Sequence, residues 1–158
     1  MRVIDPRDAH CTIYTFGSKR QYPPACQYII DVSNWRDPMG QPSLKNLDGR
    51  DIKVKNWIDH DPKTKALIET VGMILLDACP PDTSKSWTSI GLRDFHGKWI
   101  APALGELIME FLDHSPRHEH IGTMITHLDL YVTPIKSQWE LVGRGRPVKD
   151  TSPMGVVT

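Results

Sequence analysis

The segment 91-GLRDFHGK-98 gathers Arg93, Asp94, His96 and Lys98 within eight residues. It falls where a β-branched run, 86-SWTSIGL-92, gives way to an apolar helical pattern. Arginine and lysine carry fixed positive charge, and histidine adds a titratable donor. A helix amino terminus supplies unpaired N–H groups and a partial positive charge. Gly91 and Gly97 would let the backbone approach a ligand closely. These types at this spacing describe a seat for a phosphate or carboxylate. The segment matches neither the GxxxxGK[ST] phosphate loop nor the GxGxxG fingerprint. The competing interpretation is a strand–helix connection whose charges face water.

Other chemistry is less specified. His96, His127, Asp31 and Asp94 would suit acid–base work if they met in one pocket, but no spacing fixes a nucleophile or a base. His114, His118 and His120 have the types of a zinc site. Pro116 and the absence of nearby cysteine favour a solvated loop instead. His10 and His60 have no evident partner and are expected at the surface. Cys11, Cys26 and Cys79 lack CxxC spacing, which suits a reducing compartment, with Cys79 in the core. Trp87 and Trp99 are expected in the core, and Trp57 on a short helix packed against the domain. Trp35, which follows the Asp31 strand end, either lines the same phosphate or carboxylate pocket or covers the loop it sits in. Trp139 docks on the domain or on a partner.

The elements that must position these residues can be read from periodicity. The run 11-CTIYTF-16 is a strand stopped by Gly17, and 17-GSKRQYPPACQ-27 is a loop by its prolines. A second strand, 28-YIIDVS-33, reads as buried on both faces except at Asp31. The stretch 34–51 is a long loop, of a length that is either functional or a clamp over something. A short helix follows near 54–58. A clear helix, 62-PKTKALIETVGMILLDA-78, opens on proline and repeats Leu67, Val71, Ile74, Leu75 and Ala78 at helical spacing, a stripe expected to face the sheet. After the third strand, a helix from Lys98 or Trp99 to about Leu112 carries Ile100, Leu104, Leu107, Ile108 and Phe111 on one side. The last strand is 121-IGTMITHLDLYV-132. Beyond Pro134 the chain reads as a weakly patterned, mobile, mildly basic tail.

Strands alternating with helices predict a single α/β domain, residues 1–133, with a mostly parallel sheet flanked by helices. Ligands in such sheets bind beyond the carboxyl ends of the strands. Those ends carry Gly17–Arg20, Asp31–Asn34, Gly91–Lys98 and His127. The chain has 158 residues, 39% apolar and 24% charged, with a net charge of zero. That balance is an ordinary globular one and argues against broad nucleic-acid binding, which usually needs a basic excess. The longest apolar run, Met73 to Leu76, cannot span a membrane, and the amino terminus lacks a signal-like stretch, so a cytoplasmic protein is expected.

Several short motifs in order resemble the carboxy-terminal domain of the RapZ-type RNase adapter proteins. The segment 15-TFGSK-19 matches that family's serine–phenylalanine–glycine strand end and following lysine, Lys19. In 30-IDVSNWRDP-38, Asp31 is in place and Ser33 stands where the family has arginine. The segment 91-GLRDFHGK-98 keeps Gly91 and His96 of the family's glycine-rich anion loop, with one residue fewer; Lys98 then supplies positive charge. In 127-HLDL-130, Leu128 replaces an arginine. The resemblance covers roughly Thr12 to Val132.

It implies an α/β domain that binds small anions, including amino-sugar phosphates, without the adapters' separate nucleotide-binding domain. The ligand-binding candidates are Gly17, Lys19, Asp31, Gly91, Arg93, His96, Lys98 and His127. The family's loop has a cysteine where Leu92 stands, and leucine cannot attack phosphorus, so cysteine-phosphatase chemistry is excluded there. The expected function is a non-catalytic binding or adapter module for a phosphorylated or anionic small molecule, a sugar phosphate or a nucleotide. Neither cofactor nor metal is called for, and no membrane. Protein partners, an RNA partner and self-association are all open. The alternatives are a partner-directed interaction factor with a decayed pocket, and an enzyme acting on a phosphate ester. A free-standing, diverged domain of this kind would suit an actinobacterial or bacteriophage protein.

Overall fold

The computed structural model describes residues 10–81 and 87–130. Four strands, β1 (Cys11–Gly17), β2 (Tyr28–Asp31), β3 (Thr88–Asp94) and β4 (Thr123–His127), form one sheet of order β2-β3-β1-β4. Every pairing is parallel. Three helices, α1 (Ile52–Asp59), α2 (Pro62–Ala78) and α3 (Ile100–Asp113), complete the α/β domain. All four strands therefore finish at one edge, and that edge is where the candidate residues were expected.

Strand register sorts side chains by face, because alternate residues point to opposite sides. Cys11, Ile13 and Thr15 of β1 align with Thr88, Ile90 and Leu92 of β3 and with Thr123, Ile125 and His127 of β4. This face receives α3, whose Ile100, Ala101, Ala103, Leu104, Ile108, Met109 and Leu112 are all buried. A helix apolar around so much of its circumference belongs between two layers. α3 indeed packs on β1, β3 and β4, while α1 and α2 pack on α3. The α2 stripe thus meets α3 rather than the sheet, because α3 already covers the strands.

Two helices carry their own start signals. Asp51 and Asp61 each accept an N–H bond two residues on, from Lys53 and Lys63, and Pro62 occupies the first turn of α2. Aspartate caps satisfy donors that the helix leaves unpaired.

Several expectations are corrected. β2 is an outer strand whose Tyr28, Ile29 and Asp31 are exposed, so its apolar run marks an edge rather than a doubly covered strand. Trp87 is 52% exposed, not core. The third strand runs on to Asp94, which puts Arg93 inside it and shortens the turn. The last strand stops at His127. The histidine loop is not simply solvated. His118 is buried, and its Nε2 donates to the Gly72 carbonyl at 2.9 Å, which leaves Nδ1 to accept from Ser115 Oγ at 2.7 Å. His120 and His114 bond to the carbonyls of Cys79 and Glu110. The three rings reach three separate carbonyls and do not converge on an ion. His10 is also engaged, its Nδ1 accepting from the Gly122 N–H. Cys11 and Cys79 are buried and Cys26 is half-buried, all as free thiols. The tail after Pro134, with Trp139, lies outside the described residues.

The long loop before α1 is clamped over the start of α3. The Gly49 N–H donates to the Lys98 carbonyl at 2.8 Å. A Cβ on Gly49 would stand 2.4 Å from both Ala103 N and Trp99 O, backbone atoms with nowhere to go. Gly49→Ala should lower the unfolding free energy by roughly 1–3 kcal/mol in urea melts. Gly40→Ala, which meets nothing within 4 Å, should stay within about 0.5 kcal/mol of the native chain.

Candidate functional site

At the strand ends, β1, β4 and the turn after β3 are tied into one knot. The N–H of Gly17, last residue of β1, donates to Asp129 Oδ2 at 2.6 Å. Arg20 holds the other oxygen of Asp129 at 2.7 Å and the Leu128 carbonyl at 3.2 Å. Gly97 lies against both, with a φ of 71°. A Cβ there would sit 2.6 Å from Gly17 N and 2.9 Å from Asp129 Cβ, and one on Gly17 would sit 2.8 Å from the His96 carbonyl carbon. Only glycine permits that φ without strain. The room these glycines provide is filled by the opposing loop.

β3 ends in Asp94, which is 3% exposed. Its carboxylate accepts the N–H groups of Gly97 and, at 2.9 Å, of Ala101 in the first turn of α3. A negative side chain therefore sits where the sequence suggested an external anion, and it answers the helix's unpaired donors from within the chain. Burial pushes the Asp94 carboxyl above the ordinary aspartate range, and its N–H bonds pull it part of the way back.

On the α3 face, Thr15 Oγ1 lies 2.7 Å from His127 Nδ1, and His127 Nε2 lies 2.8 Å from Glu106 Oε2. Hydroxyl, imidazole and carboxylate in that order have the connectivity of a nucleophile, base and orienter. Thr15 is fully buried, however, so a substrate cannot reach its oxygen. The chain of bonds works as a brace between β1, β4 and α3. Beside it, Arg50 pairs with Asp48 at 2.7 Å. Burial raises the Asp48 carboxyl, but the Arg50 bonds and charge, with His127 nearby, bring it below the usual value.

The sequence-chosen residues separate into distinct groups. Gly17 is in the knot. Gly91 lies within β3, paired with Tyr14 and Ile29, and a Cβ there would touch Cys26 and Phe16. Arg93 and Asp31 pair with each other at 3.1 Å on the sheet face away from α3. Hydrogen bonds from Ser33, helped by Arg93, hold the Asp31 carboxyl below its ordinary range. His127 is turned into its brace. Asp31 and His127 end the two outer strands, three strand spacings or about 14 Å apart, so the suggested acid–base set does not assemble.

Lys19, His96 and Lys98 do come together around the exposed turn. The Lys19 Nζ lies 4.7 Å from the Phe95 ring centre and the Lys98 Nζ 4.8 Å from that of Trp99. The His96 ring meets both Phe95 and Trp99 edge to face, at 4.8 and 5.4 Å.

Sequence reasoning missed Glu106, Asp48, Arg50 and Asp129 as members of this edge, and placed Arg20 there without foreseeing its pairing with Asp129. Asp129 was within reach, two residues after His127 in a quoted motif. Glu106 and Arg50 arrive from a helix and a distant loop, and nothing in local spacing points to them.

The family model for the RapZ C-terminal domain matches residues 9–129. The chain belongs to the RapZ C-terminal domain family. A nucleotide-binding protein of Zymomonas mobilis is 27% identical over 137 residues, which cover 85% of this chain and 41% of that protein. One from Dinoroseobacter shibae is 29% identical over 114 residues, 68% of this chain and 38% of the relative. Another from Rhodospirillum rubrum is 26% identical over 124 residues, 77% and 38%. The chain thus spans about two-fifths of the length of these RapZ-family relatives. They are proteobacterial and lend nothing to an actinobacterial or bacteriophage origin. No helix among the described residues is long and apolar enough to cross a membrane.

Carboxyl-detected NMR titration should place Asp94 above and Asp31 below the ordinary aspartate value, with Arg93→Gln raising Asp31 and leaving Asp94 in place. By linkage, the raised Asp94 contributes stability below its unfolded value, and this is lost as pH rises through its folded value. At neutral pH, Asp94→Asn should cost about 1–3 kcal/mol in urea unfolding, because one amide N–H loses its acceptor.

Proposed function

We propose that this RapZ-family domain is a non-catalytic binding module for a phosphorylated or anionic small molecule, seated at the Phe95–Trp99 turn. The observation that carries this is the grouping of Lys19, His96 and Lys98. None of the three forms an ion pair with a carboxylate among the described residues, whereas Arg20, Arg50 and Arg93 each do. Lysine charge without an ion-pair partner among the described residues favours an anion at this turn, with the buried Asp94 carboxylate acting on His96 as the opposing influence. The aromatic rings of Phe95 and Trp99 hold the two lysines in place, which lowers the entropy lost when a ligand orders them. Sugar phosphates and nucleotides are the ligand classes; the name shared by the relatives supports the second. Transmission to a protein or RNA partner is the adapter role that the family suggests.

A second reading, an interaction factor with a decayed pocket, is favoured by Asp94. Its carboxylate takes up amides that would otherwise face a ligand. Isothermal titration of the chain with hexose and hexosamine 6-phosphates and with mononucleotides separates the two. The binding module predicts saturable binding, weakened about tenfold by Lys19→Ala or Lys98→Ala. A folded sample that binds none of these, yet captures a partner which survives Lys19→Ala and His96→Ala, would replace it with the interaction factor. Turnover of a phosphate ester, abolished by His96→Ala, would show an enzyme instead.

A further inference from the structure

A hollow of about 760 Å³ lies beyond the end of β2, between the loop after that strand, α1 and the start of α2. It contains none of the eight residues chosen from the sequence. Its apolar lining comes from Trp35, Trp57, Leu44, Ile58 and Pro62. Trp35 is 8% exposed and is fixed by its indole N–H, which donates to Thr64 Oγ1 at 2.9 Å. The rim is basic. Arg36, Lys53 and Lys63 line it, against the single carboxylate of Asp61. That carboxylate is already committed to the Lys63 ammonium at 3.1 Å and the Lys63 N–H at 2.9 Å. The Arg36 backbone N–H also bonds to that carboxylate, but neither the Arg36 nor the Lys53 side chain forms an ion pair among the described residues.

Each indole currently carries a cation on its face. The Arg36 guanidinium lies 4.1 Å from the Trp57 ring centre, and the Lys63 ammonium 5.5 Å from that of Trp35. A planar cation resting on an indole occupies the position that a stacked base would take. If a base replaces it, the displaced guanidinium stays beside the ring, within reach of a phosphate attached to that base. Volume, aromatic walls and net positive rim suit one ligand of nucleotide size. An inorganic anion would use the rim and waste the indoles, and an acidic peptide would offer no ring to stack.

We infer that the hollow formed by Trp35, Trp57, Arg36 and Lys53 is a second ligand site, for an unstacked nucleoside phosphate. It stands independently of the strand-end turn. The ligand's source is either a free nucleotide or one residue of a single-stranded RNA, which offer the same base and phosphate.

The test uses the full chain labelled with 15N, following indole N–H resonances and binding heat. The probes are AMP, adenosine, inorganic phosphate, hexa-adenylate RNA and hexaglutamate. AMP should shift the Trp57 and Trp35 indole signals saturably, with adenosine and phosphate each at least about tenfold weaker. Lys53→Gln, at an exposed position, should weaken AMP several-fold. Trp57→Leu should remove the binding, and Trp57→Phe should retain part of it. Lys19→Ala and Lys98→Ala should leave these signals unchanged, which separates this site from the turn. Hexa-adenylate binding about tenfold tighter than AMP identifies RNA as the source; equal or weaker binding identifies the free nucleotide. The inference is overturned if neither AMP nor the RNA moves the two indole signals in a folded sample. It is equally overturned if phosphate or hexaglutamate matches AMP, or if Lys53→Gln and Trp57→Leu both leave AMP binding intact.

Discussion

The buried carboxylate of Asp94 is the contact on which the strand-end architecture depends. It ends β3 and satisfies amides of Gly97 and Ala101, so the chain can leave a parallel strand and enter a helix within a few residues. α3 lacks a side-chain cap from Trp99, the residue immediately before it. Without Asp94 the first turn of the central helix would hold unsatisfied donors in a water-poor place. Its placement also fixes Gly97, and through Gly97 the loops after β1 and β4.

That single internal anion changes what the edge offers a ligand. In many α/β proteins the helix amino terminus receives the ligand's phosphate directly. Here amides of that terminus are engaged by the chain itself, and the arginines nearby are paired with aspartates. In the binding module proposed above, recognition would fall to flexible side chains steadied on aromatic rings, Lys19 on Phe95 and Lys98 on Trp99. A site built from such side chains tolerates a range of anions more readily than a rigid backbone cradle does. The hollow lined by Trp35 and Trp57 likewise pairs aromatic rings with cations, on a separate part of the domain.

The brace from Thr15 through His127 to Glu106 shows why residue types alone cannot assign catalysis. Its connectivity is that of a reactive set, yet the hydroxyl is inside the protein. Burial turns the same atoms into a tie between sheet and helix. His118 makes a similar point in the opposite direction. A residue that looked solvated in the sequence penetrates between α2 and α3, beside Gly72 and Phe111.

The sequence by itself determined the α/β class, the α2 boundaries and the parallel ordering that sends the strand ends to one edge. These follow from local periodicity, proline and aspartate caps and the short range of backbone preference. It also drew attention to the turn that carries His96 and Lys98, though not to its membership, since Arg93 belongs to β3 and His127 to the brace. Only the tertiary structure decided that β2 is an outer strand, that α2 rests on α3, and that Asp94 fills the helix terminus. Those outcomes depend on which surfaces compete for the same cover, and on partners such as Glu106 and Asp48 brought in from far along the chain. Long-range packing leaves no periodic trace in a single sequence, because either partner alone is compatible with many neighbours.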